Sequence, residues 1–180
     1  MRGFFILLVA LAGCGTGEKS DWERKHEERL PPAEEALALP AYPKTGQLIE
    51  FFVAATSEFR FFIDAASVSV GSDGVVRYVL VARSPAGVDN VSYEGMRCRS
   101  AEVRTYALGR DGAWMGKPGA WRAIEPRTVQ RWHNALYREY FCPQKEPIAS
   151  AREGVDALRR GGHPFAKGLS DDIPRGSGSR

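Results

Sequence analysis

The ten residues Val75–Ser84, which follow directly on Gly71-Ser72-Asp73-Gly74, constrain this chain more than any other stretch. Val76, Tyr78, Leu80 and Ala82 alternate with Val75, Arg77, Val79, Val81 and Arg83. Successive strand side chains point to opposite faces, so this period of two puts the two sets on opposite faces of a sheet. The Gly/Ser/Asp turn before it, preceded by Ser67–Val70, reads as a hairpin. Leu48–Val53, Phe59–Ile63, Asn90–Arg99 and Glu102–Leu108 are further apolar or alternating runs. They are separated by short turns such as Ser84-Pro85-Ala86-Gly87 and Asp111-Gly112, with no helix between them. That order implies an antiparallel sheet.

After Pro126 the period changes. Val129, Trp132, His133, Leu136, Tyr137 and Tyr140 recur at three and four residues, the spacing of an amphipathic helix that must end by Cys142-Pro143. Pro147 suits the first turn of a second helix carrying Ile148, Ala151, Val155 and Leu158, stopped by Gly161-Gly162. The expected fold class is α+β: one antiparallel sheet of five to seven strands braced by one or two C-terminal helices.

The N-terminus decides where such a fold would live. Arg2 precedes the nine-residue apolar run Phe4–Ala12, and Leu11-Ala12-Gly13-Cys14 closes it. This is the layout of a secretory signal. Its last four residues resemble the lipobox of bacterial lipoproteins, in which cleavage precedes a cysteine that then carries acyl chains. The uncharged stretch Gly3–Gly17 has fifteen residues, which as a helix spans ~22 Å against ~30 Å of hydrocarbon. A transmembrane anchor is therefore disfavoured. Release of a soluble protein by an ordinary signal cut near Cys14 is the alternative. On the lipoprotein reading, residues 1–13 are a signal peptide and Cys14 is lipidated. Gly15 after the cysteine is compatible with outer-membrane export, facing the periplasm.

Residues 14–45 read as the lipidated N-terminus and a flexible tether, 46–162 as the folded domain, and 163–180 as a disordered Gly/Ser-rich tail. Glu18–Glu35 holds seven acidic and four basic residues, with Trp22 its main apolar side chain. Without Arg2 the chain has 24 basic against 22 acidic side chains. That balance does not argue for nucleic acid as a partner.

Three cysteines are present, Cys14, Cys98 and Cys142. With Cys14 acylated, an even pair in an oxidising compartment reads as a Cys98–Cys142 disulfide joining the end of the first helix to a central strand. Buried free thiols and metal ligation are the alternatives. Only three histidines occur and no Cys or His pair has ligand spacing, so no metal or cofactor is expected.

A resemblance runs through Phe62-Ile63-Asp64-Ala65-Ala66-Ser67, Asp73-Gly74-Val75-Val76-Arg77-Tyr78, Tyr93-Glu94-Gly95-Met96-Arg97-Cys98, Tyr106-Ala107-Leu108-Gly109, Trp121, Leu136-Tyr137 and Phe141-Cys142-Pro143. Over about residues 48–161 the chain resembles the CNP-like lipoproteins of proteobacteria, a family that implies an envelope address without an activity. A looser similarity, through Trp121-Arg122-Ala123-Ile124 and the strand, cysteine and helix-cysteine order, runs to the surface-adhesin E lipoproteins. It implies host-protein binding as an alternative role.

No catalytic residue is assigned. His133, beside Trp132 on the helix, reads as a structural histidine, and Asp64, Glu94, Glu102 and Asp111 are scattered carboxylates with no pairing spacing. Ser67 and Ser84 lie outside any nucleophile-elbow pattern, so an envelope hydrolase is the less favoured reading. The expected role is a non-catalytic binding or structural module. Arg97, Arg99 and Arg104 around Cys98, with Arg77 and Arg83 on a neighbouring strand, are candidates for holding anionic lipid or glycan. The competing reading is a solvated face on which they pair with Glu94 and Glu102. Trp114 in its Gly/Pro-flanked loop is a candidate contact for a ligand or an envelope protein, or else a lid on the core. Oligomeric state is not encoded in any of these features.

Overall fold

The computed structural model describes residue 20, residues 34–125 and residues 131–166. The signal segment, Cys14, Trp22, Val129 and the tail from residue 167 lie outside the described residues.

The periodic runs form strands β1 (Leu48–Phe51), β2 (Arg60–Asp64), β3 (Ser69–Val70), β4 (Val75–Arg83), β5 (Asp89–Arg97), β6 (Glu102–Arg110), β7 (Ala113–Met115) and β8 (Arg122–Ala123). They make one antiparallel sheet in the order β1-β2-β4-β5-β6-β7, with β3 added to β4 and β8 to β6. The sheet thus has eight strands, more than the five to seven expected. The excess comes from the two-residue arms β3 and β8, too short to show a period of their own. The β3–β4 hairpin exists over two residue pairs, while β4 pairs along its whole length with β5. Asp111 and Gly112, both with positive φ, turn β6 into β7.

Both sheet faces carry a buried cluster, because β4 is apolar on both sides. Val76, Tyr78 and Leu80 join Phe61, Ile63, Met96, Leu136 and Phe141 in one buried cluster. Val79 and Val81 join Phe62, Tyr93 and Tyr106 in a second. The alternation read from the sequence holds residue by residue.

The first face is covered by helix. Arg131–Ala135 is α1, and the chain continues as a π-helical turn over Leu136–Phe141, closed by Cys142 N–H donating to Tyr137 O at 3.1 Å. A helix lying on one sheet face with its other side in water does not bury four consecutive side chains, yet Glu139, Tyr140, Phe141 and Cys142 are all buried. The wider turn accommodates them. Cys142 is then in place to bond Cys98, just past the end of β5 (S–S 2.04 Å, Cα–Cα 5.2 Å).

The second helix, α2 (Ala151–Arg160), starts later than expected. Ser150 caps it, its Oγ accepting from Glu153 N–H, while Glu153 Oε2 accepts from Ala149 N–H. This Ser150 cap, with Glu153 reaching back to the residue before it, takes precedence over Pro147, and Ile148 is buried outside the helix. Gly161, with φ 75°, ends α2 in the left-handed conformation that glycine adopts without steric cost. The packed chain passes the expected boundary at 162. His163 is buried, with Nε2 2.8 Å from Glu153 Oε1 and its backbone N–H donating to Glu139 O at 2.6 Å.

The second face is covered by residues 34–44, a strap in a region read as tether. Glu35 N–H donates to Asp73 Oδ2 at 2.9 Å. Glu34 accepts from Arg104 at 2.5 Å and from the Tyr106 hydroxyl. Tyr42 packs on Trp114, ring centroids 5.3 Å apart, and Trp114 Nε1–H donates to Pro40 O at 2.8 Å. The strap is short of large apolar side chains, so its composition gives no sign of packing. Ionic and aromatic contacts to the sheet hold it instead. Among the described residues no helix is long and apolar enough to cross a membrane.

Candidate functional site

Among the described residues, helix covers only part of the first face. Over β2, β4, β5 and β6 these residues leave a pocket of about 710 Å³ beside the start of α1. This falls in the size range of small-molecule sites, which is roughly 300–1,000 Å³. Its walls are largely apolar: Phe59, Phe61, Leu80, Leu108 and Trp132 line it. Trp132 stacks on Phe61, ring centroids 5.2 Å apart at 25°.

Strand alternation puts Ser92, Glu94 and Met96 on this inward face of β5, and α1 brings His133 down onto them. Ser92 Oγ donates to Glu94 Oε1 at 2.8 Å. Glu94 Oε2 lies 2.8 Å from His133 Nε2. Glu94 is 4% exposed and His133 3%. Burial acts to raise the Glu94 pKa, but the His133 charge and hydrogen bonds outweigh it and hold the carboxyl below its usual range. An ionised carboxylate only accepts, so Nε2 carries the proton it shares with Glu94. Trp132 Nε1, 3.2 Å from the same nitrogen, therefore has no acceptor there. Tyr78 is fully buried nearby. Its phenol is pushed far up, first by burial and then by the Glu94 carboxylate.

The order of these groups decides their chemistry. In a Ser-His-acid triad the histidine lies between the serine and the acid. Here the acid lies in the middle, so Ser92 gives its hydrogen bond to Glu94 and none to His133. The arrangement holds a shape and a charge balance in place. Among the described residues no group of three or more His, Cys, Asp and Glu side chains is set to hold a metal ion.

The arginines singled out from the sequence do not converge on an open site. Arg97 stacks on Trp121, guanidinium carbon 4.1 Å from the ring centroid, and lies 3.8 Å from Glu102. Arg99, 81% exposed in its side chain, bonds Glu146 at 3.0 Å. Arg104 donates to Gly119 O at 2.7 Å as well as to Glu34. Arg77 is buried against Asp73 at 2.5 Å, and Arg83 bonds Asp89 at 2.6 Å. Glu94, grouped with them in the sequence reading, is on the opposite face, because an even number along β5 alternates away from Arg97. Trp114 is a lid on the second cluster, between Tyr42 and Tyr93.

The pocket itself was not read from the sequence. Its signal was present as two polar residues, Ser92 and Glu94, in register with the core residue Met96, and a histidine on the apolar stripe of the helix.

Strap, disulfide, Glu94 and His133 all fall inside residues 27–159, the stretch matched by the model of the CNP1-like family. The chain belongs to the CNP1-like family. The match begins before residue 34, so the family's extent takes in the strap together with the sheet. No curated protein and no solved structure matches the chain.

Proposed function

We propose that this member of the CNP1-like family is an envelope lipoprotein, anchored by acyl chains on Cys14, whose folded part is a non-catalytic binding module. Its site is the pocket over β2, β4, β5 and β6. The observation that carries the reading is the pocket on the first face: a sheet this apolar is normally closed by its own helices, and among the described residues about 710 Å³ is left. The inverted Ser92–Glu94–His133 order supports binding over hydrolysis. The signal layout and the cysteine at position 14 support the envelope address, and Gly15 is compatible with the outer membrane, with the domain in the periplasm.

Two measurements test it. Radioactive palmitate should label the native chain and not Cys14→Ser; absence of label in both removes the anchor. Nile red, a neutral apolar dye, should brighten on the native chain and not on Ala82→Trp, in which an indole fills the pocket floor. Equal brightening, with an unchanged melting curve, removes the pocket.

A further inference from the structure

We infer that the second face carries a site of its own, a notch for an acidic, extended segment of a partner protein, which the chain's own strap fills in this structure. Arg77 of β4, Gly95 of β5 and Arg104 of β6 stand in register across three adjacent strands. The middle position has no side chain, so a gap lies between the two arginines. The Tyr106 ring reaches over it: a Cβ at position 95 would stand 2.5 Å from the Tyr106 hydroxyl. The guanidinium carbons of Arg77 and Arg104 lie 5.9 and 5.5 Å from the centroid of that ring.

This constellation suits a carboxylate, and one occupies it. Glu34 Oε2 accepts from Arg104 at 2.5 Å, while Oε1 accepts from the Tyr106 hydroxyl and lies 3.9 Å from Arg77. Arg77 is 5% exposed and Tyr106 2%. Asp73 already pairs with Arg77, so Glu34 supplies the charge that balances Arg104. Guanidinium N–H groups beside a phenol hydroxyl fix both oxygens of a carboxylate, which an amide cannot match.

Beyond this point the strap is thinly seated. Glu35 is held by Asp73 and Ser72, and the next fixed points are Pro40 and Tyr42 at Trp114. Between them Ala36, Leu37, Ala38 and Leu39 are exposed, and about 200 Å³ is left beneath, beside Tyr93. With so little apolar surface buried, the acidic end of the strap opens at a lower cost than the sheet unfolds. A partner segment presenting the same adjacent carboxylates then finds the same donors, and the strap acts as the built-in competitor for them.

Fluorescence anisotropy on residues 14–180 carrying Cys14→Ser tests this, with a labelled peptide of the sequence 32–39 and a twin carrying glutamine at both glutamate positions. Glu34→Gln with Glu35→Gln should bind the acidic peptide about tenfold or more tighter than the native chain, where the strap competes as an intramolecular ligand. Added salt should weaken that binding, and Arg104→Ser in the same variant should abolish it. Should the double variant melt early, Glu34→Gln alone carries the same comparison. On the native chain, excess peptide should speed exchange of the Glu35 amide, which donates to Asp73, and leave β4 and β5 protected. Equal binding of peptide and twin, or no binding to a variant that melts like the native chain, overturns the notch. An unmoved Glu35 amide under saturating peptide overturns the competition, and tighter binding of polygalacturonate than of the peptide overturns the protein partner. Nile red reads the pocket on the first face separately, so failure here leaves that reading standing.

Discussion

Glu94 and His133, 39 residues apart in sequence, meet with Oε2 and Nε2 2.8 Å apart beneath the pocket, each almost wholly buried. The pair ties the central strand β5 to the start of α1, so the wall of the pocket and its floor are joined by one buried hydrogen bond. Removing the imidazole leaves a buried carboxylate without its partner. His133→Ala should therefore lose about 3–5 kcal/mol of stability. Urea unfolding at pH 7 checks this, and a loss below about 1 kcal/mol would show that the pair is dispensable.

The same contact sets a pH dependence. Glu94 is held below the usual carboxylate value of 4.5, so the unfolded chain takes up its proton first as pH falls. The stability this group supplies is complete above that value and is lost as pH drops through the lower, folded-state one. Glu94→Gln should flatten the stability curve below pH 4.5 relative to the native chain. Parallel curves in acid would place the acid sensitivity elsewhere, with Asp73 and Glu153, also lowered, the next groups to change.

The Cys98–Cys142 bond closes a loop of sequence separation 44. Chain entropy for that length corresponds to about 4 kcal/mol. The double change Cys98→Ser, Cys142→Ser should lower unfolding stability by about that amount. A dithiol reductant should bring the native chain to the same midpoint and leave the variant unmoved.

Gly109 makes room for the strap. A Cβ there would stand 2.7 Å from the Tyr42 hydroxyl and 2.8 Å from Val91 Cβ. Neither yields easily: Val91 Cβ is fixed by the strand, and Tyr42 is packed on Trp114. Gly109→Ala should cost about 1–3 kcal/mol and weaken the near-ultraviolet signal of Trp114 and Tyr42. Faster amide exchange in β6 would report the same loosening, whereas an unchanged spectrum and melt would mean that the strap does not rest there.

Much of the sheet was legible in the sequence because its signals are local. The β4 alternation assigned Val76, Tyr78 and Leu80 to one face and Val79 and Val81 to the other, and Asp111-Gly112 marked a turn. Each follows from backbone geometry within a few residues. The cysteine pair was readable by expectation, on the reading that Cys14 is acylated and the compartment oxidising, without any geometry. The site was less legible. Residues 34–44 carry few apolar side chains, and their packing depends on Arg104, Tyr106, Asp73 and Trp114, which lie far away in sequence. The arginines invited grouping by their nearness along the chain, and register does place Arg77, Arg97 and Arg104 on one face, but acidic and aromatic partners of the sheet and strap engage them there.

The chain's local chemistry thus determined which segments become strands, which side chains share a face and where the chain turns. Tertiary structure alone decided that β2 pairs with β4 past β3, that a charged strap covers the second face, and that the described residues leave a pocket on the first face beside Glu94 and His133. The physical reason is range. Periodicity and turn preference act over a few residues, whereas the cover each face receives depends on surfaces that only become neighbours once the sheet has formed.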